Sequence, residues 1–363
     1  MATARKAIVI HSPFSGRSAL LNEALSYLRQ ADIGLADIIS IAALDGLPAQ
    51  GPVWQERGID VVIAAGGDGL IGGVITHIIE SDLVLGILPL GTANDIARSI
   101  SIPQSLRLAS EVIAAGHTSK VDVGKAQPAE QTPHESSSSH THPATQHIVQ
   151  QQHGFFAHTL TAGVNVEFAR LATNIAIRQR YKSLTYPFAA IEALRNHTFF
   201  DMKMEFTGLA AALAAPGAAP STIQTLTTLH CRALQVTVIN APIFGGALQL
   251  AIPGARIDDR LLDIVVVEEI DLEKLRAPFL RFFNHAEHPP VTSTTWHEQY
   301  PEFRLAELTG IPGIHHVRAQ GVSIATSIDP QDVTLDGEVR GQTPIYARMA
   351  DEQLRVLTPG GLW

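Results

Sequence analysis

The sequence predicts an α/β domain built on a parallel sheet, followed by a mainly antiparallel β domain. In the first 120 residues, short apolar runs alternate with loops and helical patterns, which is typical of βα units. Strands are predicted at 7–10, 60–65 and 83–88, and apart from Asp60 at the start of the second these runs are continuously apolar, as strands buried on both faces are. Beyond them, β-branched segments separated by Gly and Pro turns replace this pattern. We therefore expect two domains, at residues 1–120 and 121–363, as suits a chain of 363 residues.

Each predicted strand of the first domain ends in a loop that leads into a helix. Helical periodicity covers residues 19–29 and 70–80, and a third helix is expected from Thr92. In the second domain, strands are expected at 235–240, 262–268 and 322–328. The last strand of the chain is a candidate for a return to the first sheet.

Two segments are expected to be insertions in the second domain. Residues 127–153 form a Ser, His, Gln and Pro tract, and residues 207–220 form an Ala, Gly and Pro run. Neither has enough large apolar side chains to offset the entropy of ordering the backbone. The histidines of the first tract are irregularly spaced, which favours a polar linker over a metal site.

Charge and composition exclude several classes of protein. A net charge of −9 offers no general attraction to nucleic acid or to an anionic bilayer. Cys231 is the single cysteine, and no apolar run is long enough to span a membrane. We expect a cytoplasmic protein without a nucleic-acid partner, for which a homodimer stays open. Any membrane contact would be peripheral and local, at the inner face, and the basic and aromatic stretch 178–188 is its candidate, although a solvated helix is an equal alternative.

The most informative motif is a strand that runs directly into three glycines and a carboxylate. It reads Gly66-Gly67-Asp68-Gly69 and opens the second predicted helix. Glycines at a strand end let backbone N–H groups approach a phosphate chain, and the following helix N-terminus favours anions. A carboxylate beside phosphates needs a bridging divalent cation, so Asp68 predicts Mg²⁺ together with a nucleotide. An ordinary tight βα turn is the alternative interpretation.

A second polar loop, Pro89 to Arg98, follows the next predicted strand. Because the carboxyl ends of parallel strands lie at one edge of a sheet, the two loops are expected to form one site. Thr92 and Asp95 also have the three-residue spacing of a capping-box variant, so a purely helix-capping role stays open.

A pair of carboxylates follows a β-rich stretch near the end of the chain, in Asp336-Gly337-Glu338. A carboxylate placed to accept the proton of a hydroxyl nucleophile would assist phosphoryl transfer. Asp-Gly pairs are also frequent turn signals, and taken alone the motif more often indicates a solvated turn.

Together and in this order, the three motifs resemble the diacylglycerol kinase catalytic-domain family, which includes bacterial lipid kinases and sphingosine kinases. Residues 12–16 are similar to that family's first loop, and residues 240–263 to its glycine turn and its Pro-x-Ala-x-x-x-Asp-Gly-x-Leu segment. The resemblance covers nearly the whole chain outside the insertions. It implies an α/β nucleotide domain like that of NAD kinases, a C-terminal β-sandwich lipid domain, and a site in the cleft between them.

For individual residues, the resemblance implies a lipid kinase that takes ATP and a long-chain lipid alcohol. Glu338 would be the general base on the lipid hydroxyl, with Asp336 beside it, and Asp68 would organise the Mg²⁺ bound to ATP. The nucleotide site would be lined by Ser15, Gly16, Gly66, Gly67, Gly69, Gly91, Thr92 and Asn94.

The resemblance also implies a structural Mg²⁺, held by the carboxylate of Asp259 and the backbone carbonyls of Arg256 and Leu261. The chain departs from the family's pattern at two positions. Arg260 replaces a glycine in this turn, where a positive φ would strain an arginine and make the ion less secure. Leu70 replaces the threonine after the glycine loop, which removes a hydroxyl that could bond a phosphate or cap the helix.

Two other functions remain open at this point. A soluble-metabolite kinase related to NAD kinase would share the glycine loop, although the Pro89 to Arg98 motif and the long β-rich half count against it. The other alternative is a non-catalytic lipid-binding or regulatory protein on the kinase scaffold, which the leucine at position 70 suggests.

Overall fold

The computed structural model describes residues 5–129, 154–164, 166–167, 170, 198–209, 228–244, 250–252, 254–269 and 314–360. Most of the predicted polar tract, the greater part of the 207–220 run and the basic stretch 178–188 lie outside the described residues. Within the described part, no helix is both long enough and apolar enough to cross a membrane.

The first domain is built on a six-stranded sheet. Numbered in chain order, its strands are β1 (Lys6–His11), β2 (Gly34–Ser40), β3 (Val61–Gly66), β4 (Val84–Pro89), β5 (Thr118–Val121) and β18 (Leu354–Leu357). They lie in the order β2-β1-β3-β4-β18-β5, and every neighbouring pair is parallel except β18 and β5. The predicted parallel α/β sheet is confirmed.

Helices connect these strands and pack on the sheet. They are α1 (Leu21–Gln30), α2 (Gly51–Glu56), α3 (Asp68–Ile78), α4 (Asp95–Ser99) and α5 (Leu106–Ala115). Short 3₁₀ turns at Ser18–Leu20 and Ile41–Leu44 precede α1 and α2. The helix predicted from Thr92 begins only at Asp95, because Asn94 takes a left-handed conformation (φ 55°) and ends the preceding turn.

The second domain is a β-sandwich of antiparallel strands, as predicted. Its strands are β6 (Gly124–Pro128), β7 (Gly154–Phe156), β8 (Thr159–Gly163), β9 (Phe200–Leu209), β10 (Thr228–Ile239), β13 (Leu262–Glu268), β14 (Ile314–Thr326), β15 (Asp332–Leu335), β16 (Glu338–Gln342) and β17 (Ile345–Met349). They run in the order β16-β15-β8-β10-β13-β14-β17-β6-β7, and β9 pairs with both β10 and β14. A separate two-stranded sheet joins β11 (Ile243–Phe244) to β12 (Leu250–Ala251).

The chain crosses between the domains twice. It leaves the first sheet after β5, at residues 122–123, and returns after β17, at residues 350–353, so that β18 lies between β4 and β5. The predicted insertion at 127–153 is corrected at its start, because residues 127 and 128 belong to β6. Likewise, residues 207–209 of the second predicted insertion belong to β9.

Each domain has its own hydrophobic core. In the first, fully buried side chains such as Ile8, Ile63 and Leu85 fill the space between sheet and helices. In the second, side chains such as Met204 and Val236 fill the interior of the sandwich. Burial of this kind is the main source of stability, and it holds rigid the strand ends that carry the polar motifs.

Candidate active site

Three loops of the first domain lie side by side at the carboxyl edge of its sheet. In the strand register, His11 of β1 is opposite Ala65, and Gly66 at the end of β3 is opposite Pro89 at the end of β4. The loops that follow these strands are therefore neighbours, as the βα pattern predicted. Ligands bind at this edge in open α/β sheets.

The loops approach so closely that side chains would not fit between them. A Cβ atom on Gly67 would lie 3.0 Å from the Cα of Gly91. A Cβ atom on Gly16 would lie 2.5 Å from the Oγ1 of Thr92. The glycines of three separate motifs thus allow the three loops to approach one another closely.

The glycine loop itself is shorter than its motif. Gly66 ends β3 and α3 begins at Asp68, so only Gly67 lies between them, and Gly69 belongs to the first helical turn. The Oδ1 of Asp68 accepts a hydrogen bond from the backbone N–H of Ile96 (2.9 Å), which ties α3 to the start of α4. This carboxylate therefore joins the glycine loop to the Pro89–Arg98 loop, at a helix N-terminus that favours anions.

Leu70 has a packing role. Its side chain is buried in the core of the first domain, and a Cβ atom on Gly66 would lie 2.9 Å from the Cβ of Leu70. The absence of a side chain at Gly66 therefore makes room for Leu70 under the strand end. Burial of a leucine is the gain that replaces the hydroxyl of the threonine expected here.

Asn94 shapes the second loop from inside. Its Oδ1 accepts the N–H of Gly91 (2.8 Å), and its Nδ2 donates to the carbonyl of Gly91 (3.1 Å) and to Oε1 of Gln104 (3.0 Å). The side chain is buried, so its amide holds the turn closed. The N-cap of α4 is Asn94 and not Thr92, its side chain makes no capping bond, and Asp68 bonds the N–H of Ile96 in the first turn.

The first loop contains a residue that the motif analysis did not single out. Arg17 donates its backbone N–H to the carbonyl of Leu90 (2.9 Å), and its guanidinium bonds the carbonyl of Pro89. The N–H of Ser18 bonds the carbonyl of Ser15 (3.0 Å), which closes the loop. A basic residue directly after the glycine of a polar loop was the available signal.

The Asp336-Gly337-Glu338 motif is a two-residue hairpin turn between β15 and β16. Leu335 pairs with Glu338, while Asp336 (φ 48°) and Gly337 (φ 85°) both have left-handed backbones. Asp-Gly is the pair that tight hairpins with two positive φ angles prefer. The turn interpretation of the motif was therefore correct as local structure, and it does not exclude a role in a site.

This turn lies against α3, which begins in the glycine loop. A Cβ atom on Gly69 would lie 3.2 Å from Oε1 of Glu338, and one on Gly72 would lie 2.6 Å from Oδ2 of Asp336. Residues three apart share one face of a helix. The glycines of α3 thus form a bare face on which the carboxylates of the second domain rest, so motifs 270 residues apart in the chain meet at one place.

Asp336 is a partly buried carboxylate that accepts three backbone hydrogen bonds. Its Oδ2 accepts the N–H of Ala157 (2.9 Å), and its Oδ1 accepts those of His158 (2.9 Å) and Thr159 (3.0 Å). Burial raises the pKa of Asp336 to about 6, although His158 and these three N–H groups favour the charged form. The carboxylate anchors the hairpin to the segment that enters β8.

Glu338 lies in a very different environment. Its side chain is about half exposed, and its Oε2 accepts a bond from Nε of Arg340 (3.1 Å) within an ion pair. Oε1 is the oxygen beside Gly69. Of the two carboxylates, Glu338 is the more exposed to solvent. Arg340 was not predicted, although side chains two residues apart on a strand point to the same face.

The turn predicted to hold a structural Mg²⁺ does not fit a divalent cation, and this expectation is corrected. The Oδ1 of Asp259 accepts the N–H of Leu261 (3.1 Å), and its Oδ2 is ion-paired with Arg318. Arg256 on the same turn bonds Asp258. A guanidinium already neutralises the only carboxylate of the predicted ligand set. Among the described residues, no group of three or more His, Cys, Asp or Glu side chains is placed to hold a metal.

Comparison with protein families assigns both halves of the chain. Residues 6–126 match the diacylglycerol kinase catalytic domain, and residues 158–299 match the YegS C-terminal NAD kinase beta sandwich-like domain. The N-terminal part of the chain is therefore similar to diacylglycerol kinase catalytic domains, and its C-terminal part is similar to the YegS C-terminal domain.

Similar proteins match this chain over nearly its full length. A diacylglycerol kinase from Staphylococcus saprophyticus is 22% identical over 99% of this chain and 97% of its own. A diacylglycerol kinase from Staphylococcus aureus strain JH9 is 23% identical over 99% of this chain and 94% of its own. The crystal structure of a diacylglycerol kinase from Bacillus anthracis str. Sterne has a TM-score of 0.63 at 19% identity, with both chains covered completely, which supports the shared fold.

Proposed function

We propose that this chain is an ATP-dependent lipid kinase that transfers the γ-phosphoryl group of ATP to the hydroxyl of a diacylglycerol-like lipid. One observation carries the proposal. Glu338, an accessible carboxylate of the second domain, lies beside Gly69 in the first turn after the glycine loop of the first. A phosphate-binding loop and a proton acceptor are thus adjacent, although they come from different domains.

The glycine loops suit the phosphates of ATP. Gly16 and Gly67 are at least partly exposed and carry no side chain, and Gly67 directly precedes the N-terminus of α3. Backbone N–H groups and a helix N-terminus together bind phosphate oxygens without further basic side chains. Mg²⁺ bound with ATP would neutralise charge on the phosphates, and Asp68 is the carboxylate on this loop that would hold it.

Phosphoryl transfer then needs a proton acceptor for the attacking hydroxyl. Glu338 takes the proton as the lipid oxygen forms its bond to the γ-phosphorus and the bond to the bridging oxygen of ADP breaks. The partly buried Asp336 does not take part in this transfer, because its oxygens are bonded to three backbone N–H groups. Its role is to hold the turn that presents Glu338.

A diacylglycerol-like acceptor is supported by the similar proteins. They are named diacylglycerol kinases, and this chain matches them over nearly their whole length. Such an acceptor resides in a bilayer, so we expect the protein to act from the cytoplasm at the inner face of the membrane. Leu70 was the observation that suggested a non-catalytic protein. Because its side chain packs in the core, its presence is explained without a loss of catalysis.

The proposal is tested by phosphate transfer from γ-labelled ATP with Mg²⁺ to a panel of acceptors. Diacylglycerol, ceramide, sphingosine and a long-chain monoalcohol are presented in mixed micelles, and NAD is presented in solution. We expect label in diacylglycerol or a close analogue. Label in NAD alone would select the metabolite kinase, and no transfer together with no detectable binding of ATP would overturn the proposal.

A further inference from the structure

Both crossings between the domains meet at a single side chain. The chain passes from β5 to β6 through residues 122–123, and from β17 to β18 through residues 350–353. Arg260 lies in the turn that precedes β13, outside both crossings. It contacts the first through Asp122 and the second through Ala350.

Three hydrogen bonds fix Arg260 to these segments. Its backbone N–H donates to Oδ2 of Asp122 (2.6 Å), its Nη1 to Oδ1 of Asp122 (3.3 Å) and its Nη2 to the carbonyl of Ala350 (2.6 Å). Gln353 of the second crossing also donates to Oδ1 of Asp122 (2.8 Å). The side chain of Asp122 is almost completely buried, whereas that of its ion-pair partner Arg260 is 39% exposed, so water screens the pair from one side only.

The backbone of Arg260 indicates that this position is imposed by its surroundings. Arg260 has a φ of 61°, in the left-handed region that residues with a Cβ seldom adopt. Such a conformation persists only when neighbouring contacts determine it. Here the left-handed backbone directs both the N–H and the guanidinium of one residue to one carboxylate.

Hydrogen bonds continue from this junction to the candidate active site. Nδ2 of Asn240 donates to the carbonyl of Asp122 (2.8 Å) and to that of Ala157 (2.8 Å). The N–H of Ala157 in turn bonds Oδ2 of Asp336 (2.9 Å), in the turn that carries Glu338. An unbroken series of bonded groups therefore links the crossings to the carboxylate turn.

We propose that Arg260 is a positioning residue for phosphoryl transfer, a cation within the chain that locks both crossings and thereby sets Glu338 against the glycine loop. Arg318 neutralises Asp259 on the same turn, so the junction is closed by guanidinium groups and needs no divalent cation. The inference rests on the proposed function for its catalytic consequence. Its structural part, a junction locked without metal, stands independently.

The first test measures hydrogen exchange in the full-length protein without nucleotide. In Arg260→Ala, we expect backbone amides at 122–124, 157–159 and 350–353 to exchange about tenfold faster, while those of β1 and β3 are unchanged. Millimolar guanidinium should restore the slow exchange, which a general loss of stability would not allow. Arg256→Ala is the matched control, because Arg256 lies on the same turn and bonds Asp258.

The second test asks whether the junction contains a metal. Exchange at the same amides of the wild-type protein, and its melting temperature, are compared in EDTA and in Mg²⁺, again without nucleotide. We expect no difference. Faster exchange in EDTA that Mg²⁺ reverses would overturn the inference, as would unchanged exchange in Arg260→Ala. If Arg260→Ala does not fold, Arg260→Lys replaces it, and intermediate exchange is expected because an ammonium cannot bond both crossings at once.

The catalytic consequence is measured on the same variants. Arg260→Ala should lower kcat about tenfold with little change in KM for ATP, because the glycine loops are intact, and guanidinium should restore part of kcat. A junction that opens without any change in kcat would refute the positioning role. If the wild-type protein phosphorylates no acceptor, the proposed function fails, whereas the exchange results still decide the lock.

Discussion

At the scale of single residues, the two carboxylates of one hairpin turn have separate tasks. Asp336 accepts hydrogen bonds from three backbone N–H groups, whereas Glu338 is half exposed beside Gly69. Because the two environments differ this much, one short motif can supply both a structural anchor and a proton acceptor. The single glycine between them lets the two side chains diverge.

The raised pKa of Asp336 makes a contribution to stability that depends on pH. Its value of about 6 in the folded protein lies above the ordinary 3.8, so between about pH 4 and about pH 6 the folded state holds a proton that the unfolded chain has released. The free energy of unfolding should therefore fall as pH rises through this window, by about 3 kcal/mol at most, and Asp336 should add no further change above it.

Chemical denaturation at several pH values, for the wild type and for Asp336→Asn, measures this effect. The variant has no carboxyl at this position, so its stability should decline less between about pH 4 and about pH 6. Parallel pH profiles for the two proteins would show that burial of Asp336 does not shift its pKa.

Residue-level prediction from the sequence was limited to the motifs themselves. The glycines, Asp68, Asp336 and Glu338 could be named because phosphate binding and proton transfer restrict residue type. Their partners could not, because a residue such as Ala157 becomes a neighbour of Asp336 only through sheet pairing. The poor fit of the predicted Mg²⁺ turn could not be foreseen for the same reason. Arg318, which pairs with Asp259, lies on β14, a strand that is distant in sequence.

At the scale of elements, α3 connects the two halves of the site. Its N-terminus is at the glycine loop, and the face formed by Gly69 and Gly72 receives the carboxylate turn. A helix interior rich in glycine is intrinsically weak, so a glycine face is retained where a neighbour must approach closely. The carboxylate turn is that neighbour.

Gly69→Ala separates activity from stability at this face. The new methyl group would lie 3.2 Å from Oε1 of Glu338 and displace that side chain, so we expect kcat to fall about tenfold. Helix propensity should offset the crowding, with stability unchanged or raised by up to about 1 kcal/mol.

Gly73→Ala is the matched control on the same helix. Its Cβ atom would lie 3.4 Å from Cδ1 and 3.7 Å from Cγ1 of Ile41, which is ordinary contact with a flexible side chain. Activity should be retained and stability slightly raised. Equal loss of activity in both variants would mean that helix packing, and not the approach of Glu338, explains the first result.

The sequence predicted these elements to within a few residues where periodicity was strong. The helix expected at 70–80 is found at Asp68–Ile78, and strands expected at 60–65 and 83–88 are shifted by one residue. The start of α4 was missed because a left-handed Asn94 precedes it, and periodicity carries no signal for one residue with a positive φ.

At the scale of the whole molecule, the last strand belongs to the first domain. β18 lies between β4 and β5, and its buried Leu354, Val356 and Leu357 are part of the first core. The domain that carries the glycine loops is therefore complete only after the chain has passed through the whole β-sandwich. Its two crossings hold the domains in contact at the site.

A fragment of residues 1–121 should consequently fail to fold. Without β18, β5 has no partner and β4 becomes an exposed apolar edge, which favours aggregation. Joining residues 352–363 to this fragment through a flexible linker should restore a cooperative thermal transition in circular dichroism. A cooperative transition of residues 1–121 alone would contradict this account of the first core.

Prediction at this scale depended on two features of the sequence. One is the alternation of predicted strands and helices in the first 120 residues, and the other is its replacement by β-branched segments separated by Gly and Pro turns. Those observations were enough for the two fold types, because strand burial and β-branched composition differ between parallel and antiparallel sheets. The contact of Glu338 with α3 was beyond sequence reasoning alone, since it follows from how two separate cores are joined.

The central claim is that Glu338 accepts the proton of a lipid hydroxyl beside an ATP-binding glycine loop. Its most direct test compares wild-type protein with Glu338→Gln, measuring ATP binding at equilibrium and kcat for phosphorylation of diacylglycerol. We predict unchanged ATP affinity and a loss in kcat of about 10²–10⁴-fold, the usual contribution of a general base. Full activity in Glu338→Gln would contradict the claim.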